Sequence, residues 1–188
     1  MIEILSDRKI LYGGLILICT LFVAFGIKRL FSVRAQGAIP EGSIGAVVNL
    51  STRNNKTNFS ASDDVILQVE ITNPNDHAIK ILKWLIPLEG VQEPMFTVFR
   101  DGTPVAYLGP IFKRAAPTEK DYLTLAAGES LSTEVNLTAL YDFSISGNYQ
   151  ISFDVSSIHL YQEIGEEVNR LTSRAVKLHI EGHNPMKP

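Results

Sequence analysis

The sequence predicts an all-β chain, an antiparallel β-sandwich of about seven to eight short strands preceded by one N-terminal transmembrane helix. Three observations carry this. After residue 45, short strand-like runs recur with turn residues between them, and no helix of any length is needed. Asp101-Gly102 lies between two such runs as a two-residue hairpin signal. Ile10 to Ile27 is unbroken by charge and mostly apolar.

At about 1.5 Å per residue, the run from Ile10 to Ile27 is about 27 Å long as a helix, against a hydrocarbon core of about 30 Å. Arg8 and Lys9 precede it and Lys28 and Arg29 follow, so snorkelling side chains make up the difference. The reading is a tail over 1–9, a membrane helix over 10–31 and a linker over 32–44. The rival is a cleaved signal peptide, with Val33-Arg34-Ala35 at the cleavage site; Lys28 and Arg29 stand against it. Flanking charge is nearly balanced, and the short tail is the easier part to leave in the cytoplasm. Residues 36–188 are therefore expected to be extracytoplasmic. The single cysteine, Cys19, lies inside the apolar run, so the rest of the chain has no disulfide. Bulky Ile18 before it does not suit lipid attachment.

A domain is expected over 45–182, with a tail over 183–188. Ala46 to Ser51 is its first strand, and Arg53 to Asp64 reads as a polar loop. In Val65 to Thr72, residues Val65, Leu67, Val69 and Ile71 share one face. Asn73 to Asp76 is a turn by composition. Ala78 to Trp84 is the next strand, and Phe96 to Arg100 and Thr103 to Leu108 form the hairpin. Strands resume at Ser130 to Leu137, Asn148 to Val155 and Arg174 to Ile180. Within Leu160 to Arg170, Glu163, Glu166 and Glu167 suit one or two helical turns, and their carboxylates suit a solvated face. Tyr149 enters a late strand two residues before the core position Ile151. That is where immunoglobulin-like sandwiches place a tyrosine whose hydroxyl ties back to the upstream backbone, a tyrosine corner.

The net charge is −3; from Gln36 onward 12 Lys and Arg face 18 Asp and Glu, so that part stands at −6. No clustered basic face marks a nucleic-acid partner. There is no phosphate-cradling glycine loop and no nucleophile elbow. His77 and His159 have no evident partner in the nearby sequence. His179-Ile180-Glu181-Gly182-His183 spaces two histidines four apart, but the glutamate is misplaced and Gly182 and Pro185 oppose a helix. Asn49, Asn55, Asn58 and Asn136 stand in N-x-Ser/Thr sequons, which matter only in a eukaryotic secretory pathway.

One stretch organises the domain. Tyr107 to Leu125 (YLGPIFKRAAPTEKDYLTL) is too rich in proline for a strand and too apolar at Ile111 and Phe112 for a plain linker. It follows Thr103-Pro104-Val105-Ala106 and leads through Ala127-Gly128-Glu129-Ser130 to Tyr141-Asp142-Phe143 and Gly147-Asn148-Tyr149. In this order and spacing the pieces resemble the N-terminal β-domain of the deuterolysin and peptidyl-Lys metalloendopeptidase family, the aspzincins. The resemblance is dense over residues 96–155 and extends over about 44–180. In that family a zinc protease domain follows, with H-E-x-x-H on a helix and an aspartate ligand in a later G-T-x-D motif. Neither motif occurs in these residues, so no catalytic or zinc-binding residue of the family maps onto this chain. The resemblance implies the family's non-catalytic portion.

The expected function is a membrane-anchored, non-catalytic binding module that holds, chaperones or inhibits a protease partner, with no cofactor. Its membrane contact is residues 10–27. Its candidate docking loop comprises Gly109, Ile111, Phe112, Lys113 and Arg114, an apolar anchor beside a charged rim. The bland alternatives are that Ile111 and Phe112 plug the open end of the sandwich and that Lys113-Arg114 is a solvated turn. The alternative functions are a cell-envelope scaffold or adhesion module without a protease link, and a truncated metalloprotease.

Overall fold

The computed structural model describes residues 45–162 and 167–182. The expected tail, membrane helix and linker of residues 1–44, and the tail over 183–188, lie outside them. Among the described residues no helix is long and apolar enough to cross a membrane.

Alternation builds the first sheet. Strand β3 (Ile66–Thr72) buries Leu67, Val69 and Ile71 and turns Gln68 outward. It pairs antiparallel with β1 (Val47–Thr52) on one edge and β8 (Ser130–Asn136) on the other.

The second sheet forms around β9 (Gly147–Ser157), which buries Tyr149, Ile151, Phe153 and Val155. Strand β5 (Phe96–Arg100) pairs with it antiparallel, and the register partners Phe96 and Phe153 pack edge to face at 5.5 Å. Strand β11 (Val176–Ile180) pairs with the first half of β9 and β10 (Asn169–Thr172) with its last four residues. Between β10 and β11 the register along β9 slips by one residue, a β-bulge. Ser173 fills it, donating its N–H to the Phe153 carbonyl while its hydroxyl accepts the Phe153 N–H. Two short strands complete the sheet. β2 (Asn58–Phe59) lies parallel to β11, and β6 (Thr103–Pro104) pairs with β5.

A third ladder joins β4 (Ile79–Leu82) to β7 (Tyr122–Leu125). The three sheets share one hydrophobic core, with Leu67, Ile81, Ile86, Met95, Leu137 and Phe153 among its most buried members. Asn73 is also fully buried. Its amide nitrogen faces the carbonyls of His77, Leu125 and Ala126, and its side-chain oxygen accepts the Asn75 N–H. One amide thus ties the β3–β4 turn to the end of β7.

Several expectations are corrected. The described residues hold eleven strands, because five of them are only two to four residues long. The polar loop Arg53 to Asp64 contains β2. The strand expected over Thr103 to Leu108 stops at Pro104, which lacks an N–H for the ladder. The hairpin turn itself is as expected, with φ of 47° at Asp101 and 83° at Gly102, the left-handed pair that a tight hairpin uses. The helical turns expected within Leu160 to Arg170 are absent from its described residues. The Leu82 N–H donates to the carbonyl of buried Leu160 and the Gln162 N–H to that of Lys80, so buried Tyr161 bridges to Ile81 of β4, and Asn169–Thr172 is β10, with Leu171 inward. Glu163 and Glu166 lie outside the described residues.

Candidate functional site

The stretch Tyr107 to Leu125 divides in two. Its last four residues are β7, contrary to the expectation of no strand, because Leu125 is buried and the segment finds β4 as a partner. A short 3-10 turn, Glu119–Asp121, precedes β7 and carries a capping box. The Thr118 hydroxyl and N–H both donate to the Asp121 carboxylate. These bonds hold the Asp121 carboxyl below the usual carboxylate range.

Between Pro110 and Ala116 every residue is exposed, and the chain runs without turn, bend or ladder partner. Ile111 is 73% exposed and Phe112 56%, and Leu108 beside them is 63% exposed. The expectation that Ile111 and Phe112 plug an end of the sheets is therefore corrected. The side chains point away from the core, leaving three apolar groups in water on one loop.

The loop is nonetheless braced. At its root Tyr107 bridges to Tyr141, and their rings meet edge-on at 5.4 Å. The Leu108 N–H donates to the Leu140 carbonyl, and the Tyr107 hydroxyl donates to the Pro110 carbonyl. This fold-back brings the backbone of Gly109 against the Tyr107 ring, where a Cβ would collide with the hydroxyl and with Leu140. Further along, the Phe112 N–H donates to the Gln92 carbonyl at 3.2 Å. The Arg114 guanidinium lies 4.7 Å from the centre of the Trp84 ring and 6.0 Å from that of Phe112. Glu93 stands near it: burial raises its carboxyl, and the charge of Arg114 opposes part of that rise. At the far end Lys83 donates to the Lys120 carbonyl, and Lys80 pairs with Glu119 at 3.4 Å.

The five loop residues expected from the sequence thus lie together, but they differ in kind. Gly109 is a close-packed position with no room for a side chain, Arg114 is part of the brace, and Ile111 and Phe112 are the exposed apolar groups. Lys113 is exposed and makes no ion pair with another described residue.

Tyr149 lies elsewhere, on β9, where it is buried and its hydroxyl donates to the Ile145 carbonyl at 2.5 Å. Burial raises its hydroxyl pKa. It is still linked to the loop by aromatic rings. Tyr149 touches Phe143 at 5.2 Å, Phe143 touches Tyr141 at 6.4 Å, and Tyr141 touches Tyr107. Tyr141 anchors this row, because its hydroxyl donates to the Phe96 carbonyl within the core. Burial drives the Tyr141 pKa well above the ordinary tyrosine value.

Sequence reasoning missed Trp84, Gln92, Glu93 and the anchoring role of Tyr141. The only signal was that Trp84 is the single tryptophan, at the start of the apolar run Trp84-Leu85-Ile86. His77, expected to be without a partner, sits 2.9 Å from the carboxylate of Asp76 beside it. His179 faces Asn148 across β9 and β11 at 3.2 Å, while His183 lies outside the described residues. Among the described residues no three His, Cys, Asp or Glu side chains converge as metal ligands.

No family model matches the chain. It is similar in part to a protease, the extracellular protease of Aeromonas hydrophila, with 43% identity over 94 residues. That match covers 50% of this chain and 27% of the Aeromonas protein, so the chain spans about a quarter of its relative's length.

Proposed function

We propose that the chain is a non-catalytic, protease-related binding module with an immunoglobulin-like β-sandwich. It is held at a membrane by residues 10–27, with residues 36–188 on the extracytoplasmic side. It engages a protein partner, a peptidase, through the loop from Gly109 to Asp121.

The observation that carries this reading is the partial match itself. A stretch of 94 residues is 43% identical to part of an extracellular protease and accounts for 27% of that protein's length. The wording around Tyr107 to Tyr149 supports the comparison with the β-domain that precedes a zinc metalloprotease. The loop supports binding, since exposed apolar groups on a braced backbone cost little ordering on association. The bond from the Tyr149 hydroxyl to Ile145 and the burial of Ile151 support the immunoglobulin-like reading. A tether concentrates such a module at the membrane surface.

Affinity purification with the full chain tests the proposal. Recovery of a peptidase, lost on replacing Ile111 and Phe112 by serine, is expected. Recovery of envelope or surface components alone would favour a scaffold or adhesion module. Turnover of a protein substrate by the purified chain with added zinc would replace binding by catalysis. A C-terminal reporter active only outside the cytoplasm tests the orientation, and an inactive reporter would contradict it.

A further inference from the structure

We propose that Pro110 to Pro117 is a substrate-like loop, which occupies the cleft of a peptidase with an acidic specificity pocket and presents Lys113 to that pocket. This rests on the peptidase-partner reading above and adds how the partner is held.

The backbone comes first. Residues 110–118 run without turn or bend, and none has a positive φ. Clefts that recognise extended peptides pair with exactly such main chain, as an added strand pairs with a sheet edge. Every residue from Pro110 to Ala116 is exposed, so a cleft can close around this segment.

Stiffness comes second. Pro110 and Pro117 bracket the segment, fixing their own φ and biasing Gly109 and Ala116 toward extended conformations. The Phe112 N–H is tied to Gln92, and Arg114 is stacked on Trp84. A flexible loop in the same place is an ordinary substrate. A braced one has little ordering cost left on binding and resists the distortion that scission needs.

Chemistry comes third. Two basic residues stand side by side, and they differ in their neighbours. Arg114 is engaged by its aromatic neighbours, whereas Lys113 makes no ion pair with another described residue. A lone ammonium on a long stem, in a part of the chain with net charge −6, is complementary to a carboxylate at the floor of a pocket. Ile111 and Phe112 on one side offer apolar groups to neighbouring subsites, and Ala115 and Ala116 on the other add no bulk.

The test titrates the full chain, in detergent micelles, against trypsin, whose pocket is acidic, and chymotrypsin, whose pocket is apolar. Initial rates are read on small chromogenic substrates, and mass spectrometry follows the loop. Competitive inhibition of trypsin with the loop intact is expected. Lys113→Ala should weaken it about 30-fold or more, as loss of one partner of a desolvated charge pair does. Lys177→Ala, a change at an exposed position of β11, should leave it unchanged. Three results would overturn the inference: rapid cutting after Lys113 without inhibition, inhibition of chymotrypsin that Phe112→Ala abolishes, or no effect on either enzyme. Any of these, together with recovery of a peptidase by affinity purification, would sink the substrate-like loop and spare the binding-module reading.

Discussion

The guanidinium of Arg114 stacks on the ring of Trp84, 4.7 Å from its centre, and this contact fastens the middle of a loop that no ladder holds. Trp84 sits in the 3-10 turn that follows β4, so the stack ties the exposed segment to the same strand that β7 pairs with a few residues later. The loop is thereby fixed at its root by Tyr107, at its middle by Arg114 and at its end by the capping box. Exposure at Ile111 and Phe112 is a property of a braced loop.

Arg114→Ala removes the middle brace. Trp84 is the single tryptophan, so its fluorescence reports the change directly. The expected outcome is a red-shifted emission, stronger quenching by acrylamide, and a stability loss of about 0.5–1 kcal/mol, the scale of an exposed cation–π pair. Unchanged emission and quenching would mean that the stack does not persist in solution.

Replacing Ile111 and Phe112 together by serine should leave the fold intact. Both side chains are largely in water, so stability should stay within about 0.5 kcal/mol in thermal unfolding. Partner capture should be lost. An unfolded double variant would instead make these residues part of the core.

Tyr141→Phe and Tyr149→Phe separate the two ends of the aromatic row. The first leaves the buried Phe96 carbonyl without its hydroxyl donor and should cost about 1–3 kcal/mol. The second removes the bond to Ile145, which is only partly buried, and should cost about 0.5–1.5 kcal/mol. Denaturant melts measure both. A Tyr149→Phe variant as stable as the parent would remove the tyrosine-corner role.

Acid stability follows from carboxylates held below their ordinary range. The Asp63 pKa falls to about 2, chiefly through the hydrogen bond it accepts from Lys56 and then through bonds from Ser60. Asp154 is lowered first by its hydrogen bond from Arg170. A depressed folded pKa gives stability that is present above the unfolded value, near 3.8, and lost as pH falls through the folded one. The contribution of Asp63 should therefore hold down to about pH 4 and disappear between pH 4 and 2. Comparing Tm against pH for the parent and Asp63→Asn checks this: the difference should be constant above pH 5 and vanish near pH 2.

The sequence made the strong alternation legible. Val65 to Thr72 places its inward residues correctly, because a half-buried strand must alternate, Ile151 is buried as the core position of its strand, and Asp101-Gly102 marks its turn because few residue pairs accept two positive φ values. The short strands were not legible. Tyr122–Leu125 carries too few residues to show a period and is a strand only because β4 offers it an edge. The same holds for Asn169–Thr172, where glutamates just upstream imitate a helical turn. At the site, the exposed apolar groups could be picked out by composition. The brace could not, because Trp84, Gln92 and Tyr141 reach the loop from segments distant in the chain.

The most direct test of the central claim is site-specific photo-cross-linking. A photoreactive residue is placed at position 111 of the full chain in the cells that produce it, with position 99, exposed on β5, as the control, and the adducts are identified by mass spectrometry. The account predicts a peptidase adduct from position 111 that position 99 does not give. Adducts to envelope components or lipid in place of a peptidase, or the same adducts from both positions, would contradict it.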